Sequence, residues 1–185
     1  MNRISSSEQN IRELVNEDAV REAIVRLDRD KWNQMCVALD TLGDSAAALK
    51  HFEAHGLGSG AVEERYLRLY GTFQAVIIQQ DSIKAIYAIV KGAGPKIAKD
   101  SGWSRFRELR NMAVGHPVDA KQGKLRVAIS RITISDEGFD VLIADKNTPD
   151  KLGVQVVDYL TPYTFYKDEA LLLLDDVESS LLQET

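Results

Sequence analysis

The sequence predicts a mainly α (α+β) fold: a helical bundle with a small antiparallel β-hairpin or meander inserted before the last helix. Two observations carry this prediction. Most of the chain has apolar residues at three- and four-residue spacing, which is typical of amphipathic helices, whereas residues 124 to 158 include alternating apolar and polar runs, which are typical of strands. A length of 185 residues and a hydrophobic content of 44% suit one domain, residues 1 to 185, with the β insertion at about 124 to 158.

Helices are predicted for the first third of the chain. Ser6 or Ser7 can cap an apolar stripe that continues to Gly43, where we expect the helix to end. A break is expected near residues 16 to 18. A short separate helix is expected from about residue 44 to residue 52, because new capping residues follow the glycine.

The longest predicted helix covers residues 61 to about 91. Its apolar residues spread over a wide arc, so we expect it to be central or to be buried by a second copy of the chain. The polar run from Gln79 to Ser82 interrupts this arc. We expect these side chains to face water; the alternative is that one of them reaches a catalytic pocket.

The β insertion begins after a polar loop. Residues 125 to 129 alternate and predict a first strand, and a phase slip near residues 130 to 131 predicts a bulge before the apolar residues Ile132 and Ile134. The run from Ser135 to Gly138 is typical of a hairpin turn, after which the next strand begins at Phe139.

Two alternatives are open for the segment before the last helix. Residues 154 to 157 can form a third strand, or a helix can begin at Thr148 and Pro149. The final helix is predicted to begin at Thr161 and Pro162, because proline is favoured in the first helical turn.

Several classes of protein are disfavoured by the composition. Cys36 is the single cysteine, which excludes an internal disulfide and a thiolate zinc site, and suits a reducing cytoplasm. The N-terminus lacks the apolar core of a signal peptide, and no apolar run approaches the roughly 18 residues of a membrane span. The sequence lacks a phosphate-binding P-loop, a Gly-x-Ser-x-Gly motif and a His-Glu-x-x-His motif, and we predict no cofactor and no metal.

Charge is distributed unevenly along the chain. The net charge of −5 argues weakly against a protein coated by nucleic acid, but ten basic and three acidic residues lie between Lys91 and Arg131. A positive block on an acidic protein would concentrate an anionic ligand there. The alternative is a chance cluster on a solvated face.

The candidate site lies in the middle of this block. A helical pattern through Arg110 ends at Gly115, and Pro117 keeps the intervening His116 out of the α region. His116, whose backbone is restricted by Pro117, thus lies about one helical turn beyond an arginine that keeps its charge. The pair could bind a phosphate and transfer a proton. The alternative to a functional site is that the arginine lies on a solvent-exposed helix face and the histidine only caps the end of the helix.

Arg110, the polar Asn111 after it, and His116 after five intervening residues resemble the Arg-x4-6-His signature of HEPN (higher eukaryotes and prokaryotes nucleotide-binding) domains. The resemblance is specific from Phe106 to Pro117. It implies a helical homodimer with the active site at the interface, and RNA cleavage without a metal through attack of a 2′-hydroxyl. It also implies proton transfer by His116 and charge stabilisation by Arg110, while Asn111 would orient His116 or a phosphate.

Arg107 precedes Arg110 by one helical turn and could extend the phosphate site. The alternative function is a catalytically inactive HEPN-like module that binds nucleotide, RNA or a protein partner, for example as a subunit of a toxin–antitoxin or defence pair. A third interpretation is an unrelated helical interaction domain. The sequence does not identify an RNA target or an antitoxin-like partner.

Overall fold

The computed structural model describes residues 1 to 148 and 150 to 183. The fold is mainly α, with a three-stranded antiparallel sheet before the last helix, as predicted. The described helices are α1 (Asn2–Asn16), α2 (Asp18–Leu27), α3 (Arg29–His55), α4 (Val62–Lys91), α5 (Gly102–Arg110), the single turn α6 (Ala120–Gly123) and α7 (Leu160–Leu181). The strands are β1 (Leu125–Ile129), β2 (Phe139–Asp145) and β3 (Leu152–Val157). None of the described helices is long and apolar enough to cross a membrane.

The chain divides into two compact units. The helical unit comprises residues 1 to 54, 75 to 97 and 167 onward, and the mixed unit comprises residues 55 to 74 and 98 to 166. The mixed unit contains the sheet and the candidate site residues. The single domain of residues 1 to 185 stays a prediction.

In the helical unit, the predicted break is confirmed at Glu17, whose extended backbone separates α1 from α2. Three expectations are wrong: α1 begins at Asn2 and not at a serine cap, α3 continues through Gly43, and no separate helix covers residues 44 to 52. A glycine costs a helix interior about 1 kcal/mol. Leu42 and Ala46 beside Gly43 are completely buried, so packing of this face outweighs that cost.

The expectation that the polar run of α4 faces water is wrong for three of its four residues. Gln79 and Gln80 are completely buried, Ser82 is almost so, and Asp81 is exposed. The Ser82 hydroxyl lies 2.7 Å from the hydroxyl of Thr41 on α3. A buried polar group needs such a hydrogen-bond partner. The polar run of α4 therefore contributes to packing inside the helical unit.

The sheet of the mixed unit has the order β1-β2-β3, and both pairs are antiparallel. The third strand predicted at residues 154 to 157 is confirmed. The alternative was a helix that begins at Thr148 and Pro149, of which Pro149 lies outside the described residues. The predicted bulge is wrong, because residues Arg131–Thr133 form a 3-10 turn. The Ser130 carbonyl accepts the Thr133 N–H at 3.1 Å and closes that turn.

Aromatic side chains form the core of the mixed unit. Phe73 of α4 is completely buried, and its ring centroid lies 4.9 Å from that of Phe106 on α5. Phe139 of β2 lies 6.1 Å and Tyr159 lies 6.0 Å from the same ring. Because one ring contacts both α5 and the strand, this cluster positions α5 and the segment that follows it.

Asp158 stabilises the start of α7. Its carboxylate accepts N–H hydrogen bonds from Leu160 at 2.9 Å and Thr161 at 3.1 Å. Hydrogen bonds from the Thr161 side chain and N–H are the main causes that lower the pKa of Asp158 below its ordinary value. This stabilisation is therefore present above the unfolded-state pKa of about 4 and is lost as the pH falls through the folded-state pKa.

We expect Asp158→Ala to lower the free energy of unfolding by about 1 kcal/mol at neutral pH, because two helical N–H groups lose their acceptor. Urea unfolding of the wild type and the variant at about pH 7 and about pH 3 measures this difference. The difference should shrink at the lower pH. A difference that is the same at both pH values would contradict the assigned role of the carboxylate.

Candidate active site at the end of α5

A π-helical turn follows α5 directly. The Ser101 side chain accepts the Ser104 N–H at 3.1 Å and caps the start of α5. Residues Asn111–Gly115 then form the π turn, closed by a 2.8 Å hydrogen bond from the His116 N–H to the Asn111 carbonyl. His116 has φ −138° and ψ 52°. The prediction that the helical stretch ends at Gly115 and that His116 leaves the α region is confirmed; π turns of this kind are frequent at functional sites.

The π turn borders a cavity of about 660 Å³ within the mixed unit. Asn111 and His116 both line it, and the His116 side chain is exposed. Among the described residues, the His116 imidazole has no hydrogen-bond partner, so both ring nitrogens are open to a ligand. The cavity wall also carries the cations Arg105 and Lys121, the acids Glu108 and Asp119, and Gln155 of β3.

Arg110 is held in place by two amide oxygens. Its Nη1 donates to Asn111 Oδ1 at 3.0 Å, and its Nη2 donates to Gln74 Oε1 at 2.8 Å. Arg68 differs, because it pairs with the carboxylate of Glu64 at 2.6 Å. Arg110 makes no ion pair with a described carboxylate, and its buried Nε has no hydrogen-bond partner among the described residues. Amide acceptors fix the guanidinium without offsetting its charge, which suits binding of an anion.

Gly115 has a second role in this geometry. A Cβ atom built on Gly115 would lie 2.6 Å from Arg110 Nη1 and 3.5 Å from Asn111 Oδ1. Because Gly115 has no side chain, the Arg110 guanidinium has room to lie directly beside it, one residue before His116. This close approach links the arginine and the histidine of the motif through the backbone of the π turn.

The four predicted site residues are placed differently. Asn111 and His116 share the cavity wall, and Arg110 is joined to them through its hydrogen bond with Asn111. Arg110 is not part of the cavity lining, and neither is Arg107, which is half-buried on α5. The catalytic and binding roles of all four residues stay predictions.

The basic block contributes only part of its charge to the cavity. Of its members, Arg105 and Lys121 line the wall, together with the acids Glu108 and Asp119. Arg126, another member, lies 3.9 Å from Asp119. The lining is thus mixed in charge, and attraction of an anion would depend on individual cations and on Arg110 more than on a broad positive field.

Several residues at the site were not predicted from the sequence. Gln74 lies on α4 and is distant in sequence from Arg110, so no local pattern connects the two. Lys121 and Gln122 have φ of 49° and 58°, a conformation rare for residues other than glycine. The only local signal was a polar segment before Gly123. Such strained backbone is typical of functional sites, and this turn directs the chain along the cavity wall.

No group of three His, Cys, Asp or Glu side chains among the described residues is arranged to hold a metal ion. Comparisons with families of proteins, with curated proteins and with solved structures find no match.

Proposed function

We propose that this protein is a HEPN-type, metal-independent endoribonuclease. The observation that carries the proposal is the arrangement around the π turn: Asn111 and His116 line one cavity, and Asn111 also holds the guanidinium of Arg110. An exposed imidazole on the cavity wall, and a fixed, uncompensated cation that is bonded to Asn111 of the same wall, are the kinds of group that proton transfer at a phosphate requires. The cavity of about 660 Å³ has room for a nucleotide segment.

In the proposed reaction, neutral His116 takes the proton from an RNA 2′-hydroxyl, and the 2′-oxygen attacks the adjacent phosphorus. The bond from phosphorus to the 5′-oxygen breaks, and the leaving oxygen takes a proton from an acid. The products are a 2′,3′-cyclic phosphate and a 5′-hydroxyl. Arg110 stabilises the negative charge that develops on the phosphoryl oxygens, and Asn111 orients the arginine. Arg107 and Arg105 extend the contact to neighbouring phosphates.

A homodimer supplies the acid in this proposal. One imidazole does not serve well as both base and acid in a single displacement, and a two-fold axis near the site would bring in a second His116. The partners are RNA or nucleotide and a second copy of the chain. A toxin or defence role in the cytoplasm, with an antitoxin-like protein that blocks the cavity, is part of the same proposal.

Arg110→Ala should reduce RNA cleavage by about 10²- to 10³-fold, because the charge of the transition state loses its main partner. The measurement is the initial rate on a mixed-sequence RNA in EDTA. Arg131→Ala is the matched control, since Arg131 is exposed and does not line the cavity. Equal rates for Arg110→Ala and the control would contradict the role of Arg110.

A second candidate function is an inactive HEPN-like module that binds nucleotide or RNA. One observation favours it: the Arg110 guanidinium is tied to Gln74 and Asn111 and does not itself line the cavity that His116 lines. Binding of RNA without turnover in EDTA, weakened by Arg105→Ala or Lys121→Ala, would support this module and contradict the ribonuclease.

A further inference from the structure

The outer edge of β3 pairs with no other strand among the described residues. The sheet order is β1-β2-β3, so β3 pairs with β2 on one side only. Leu152, Val154 and Val156 are 64%, 65% and 76% exposed, respectively. An exposed edge strand with apolar side chains readily pairs with another strand.

The hydrogen bonds of β2 show which β3 residues face outward. The Asp140 carbonyl accepts from the Ser130 N–H, and the Lys146 N–H donates to the Lys124 carbonyl, both at 2.9 Å. The even-numbered residues of β2 therefore bond toward β1, and its odd-numbered residues bond toward β3. Since Val141 lies opposite Gln155, the odd-numbered residues of β3 face β2. The N–H and C=O groups of Leu152, Val154 and Val156 consequently point away from the sheet.

The outward-facing residues are self-complementary. When two β3 strands run antiparallel about Val154, Leu152 of each copy lies opposite Val156 of the other, and the two Val154 residues lie opposite each other. Opposite side chains lie on the same face in this register, so the three pairs on the face of Val154 are all apolar, while the pairs on the other face join Gly153 with Gln155. In this register Asp150 of one copy lies opposite Asp158 of the other, just outside the paired residues, so the apolar pairs and not charge favour the alignment. No proline or charged side chain within β3 opposes the pairing.

We infer that β3 is the contact through which two copies of this chain associate, as a continuous antiparallel sheet centred on Val154. Outward N–H and C=O groups of Leu152, Val154 and Val156 bond across the two-fold axis, and their side chains form the apolar cross-strand pairs. The contact is small compared with the roughly 1,200 Å² of a standard interface, so the dimer forms at high protein concentration and dissociates on dilution.

The same contact reaches the candidate site. Gln155 follows Val154 on β3 and lines the cavity that contains His116. A second copy paired along β3 therefore lies beside that cavity, and association changes which molecules can enter it. The inference about association does not depend on ribonuclease activity, and its test measures association alone.

The test is sedimentation velocity of the full chain over a wide concentration range, with Val154→Pro and Val154→Lys. Proline removes the outward N–H of Val154 but none of the bonds to β2, and lysine adds like charges on the two-fold axis. We expect concentration-dependent dimerisation of the wild type and at least about a tenfold weakening in both variants. Ile132→Lys is the control, because Ile132 is 84% exposed and lies outside β3; it should dimerise like the wild type.

Amide hydrogen exchange gives a residue-level measurement on the wild type. Exchange at Leu152, Val154 and Val156 should slow as the concentration rises, whereas Gly153 and Gln155 should be protected at every concentration through β2. A wild type that stays monomeric would overturn the inference. So would a dimer that Val154→Lys forms equally well, or exchange at Val154 that does not depend on concentration.

Discussion

Replacing His116 with alanine should reduce RNA cleavage by about 10²- to 10⁴-fold, which is the usual contribution of a general acid–base group. His116 is exposed, lines the cavity and has no hydrogen-bond partner among the described residues, so the substitution should leave the fold intact. The rate is measured on a mixed-sequence RNA in EDTA, together with the thermal unfolding of both proteins.

His51→Ala is the matched control for this substitution. His51 is also exposed, but it lies on α3 in the helical unit and does not line the cavity. It should cleave RNA at the wild-type rate. Cleavage that persists in His116→Ala would indicate a contaminant or another site, and would contradict the assignment of His116.

Phe73→Ala should cause the largest loss of stability, about 3 to 5 kcal/mol, because it removes a completely buried ring and leaves a cavity. The ring contacts Phe106, Phe139 and Tyr159, so the loss would affect α4, α5 and the sheet of the mixed unit together. A loss of this size is a large part of the about 5 to 15 kcal/mol that stabilises a typical domain.

The loss for Phe73→Ala is measured by urea unfolding. The urea concentration at the midpoint should fall, while the slope of the unfolding free energy against urea concentration stays unchanged. Phe165→Ala is the matched control, because Phe165 is 55% exposed and belongs to the same unit. Its unfolding free energy should change far less. Equal shifts in the two variants would contradict the aromatic core.

Periodicity predicted the longest helix and the first strand because both bury apolar residues at a regular spacing. The predicted start near residue 61 and the end near residue 91 agree with α4, and the alternation at residues 125 to 129 agrees with β1. Local signals failed where packing opposes them. Gly43 is a reasonable helix end by propensity, but the face that buries Leu42 and Ala46 continues through it.

The polar run of α4 shows a second limit of sequence reasoning. Gln79 and Gln80 are polar, and polarity alone predicts exposure, yet both are completely buried. Whether a buried polar side chain finds a hydrogen-bond partner depends on groups from other helices, such as the Thr41 hydroxyl that meets the Ser82 hydroxyl. The sequence of α4 does not contain that information.

At the candidate site, the local motif predicted the helix end and the departure of His116 from the helix. The motif did not predict the π turn. Whether a backbone N–H bonds to the carbonyl five residues earlier or to the one four residues earlier depends on how Asn111 and its neighbours pack. The motif also missed Gln74, which reaches Arg110 from another helix, and the left-handed residues Lys121 and Gln122. These features arise from tertiary contacts.

The central claim is cleavage by 2′-hydroxyl attack at the cavity that His116 and Asn111 line. The most direct measurement compares a mixed-sequence RNA with its 2′-O-methyl counterpart in EDTA and determines the ends of the products. We predict cleavage of the RNA only, with 2′,3′-cyclic phosphate and 5′-hydroxyl ends. Cleavage of the 2′-O-methyl strand, or products with other ends, would contradict the claim.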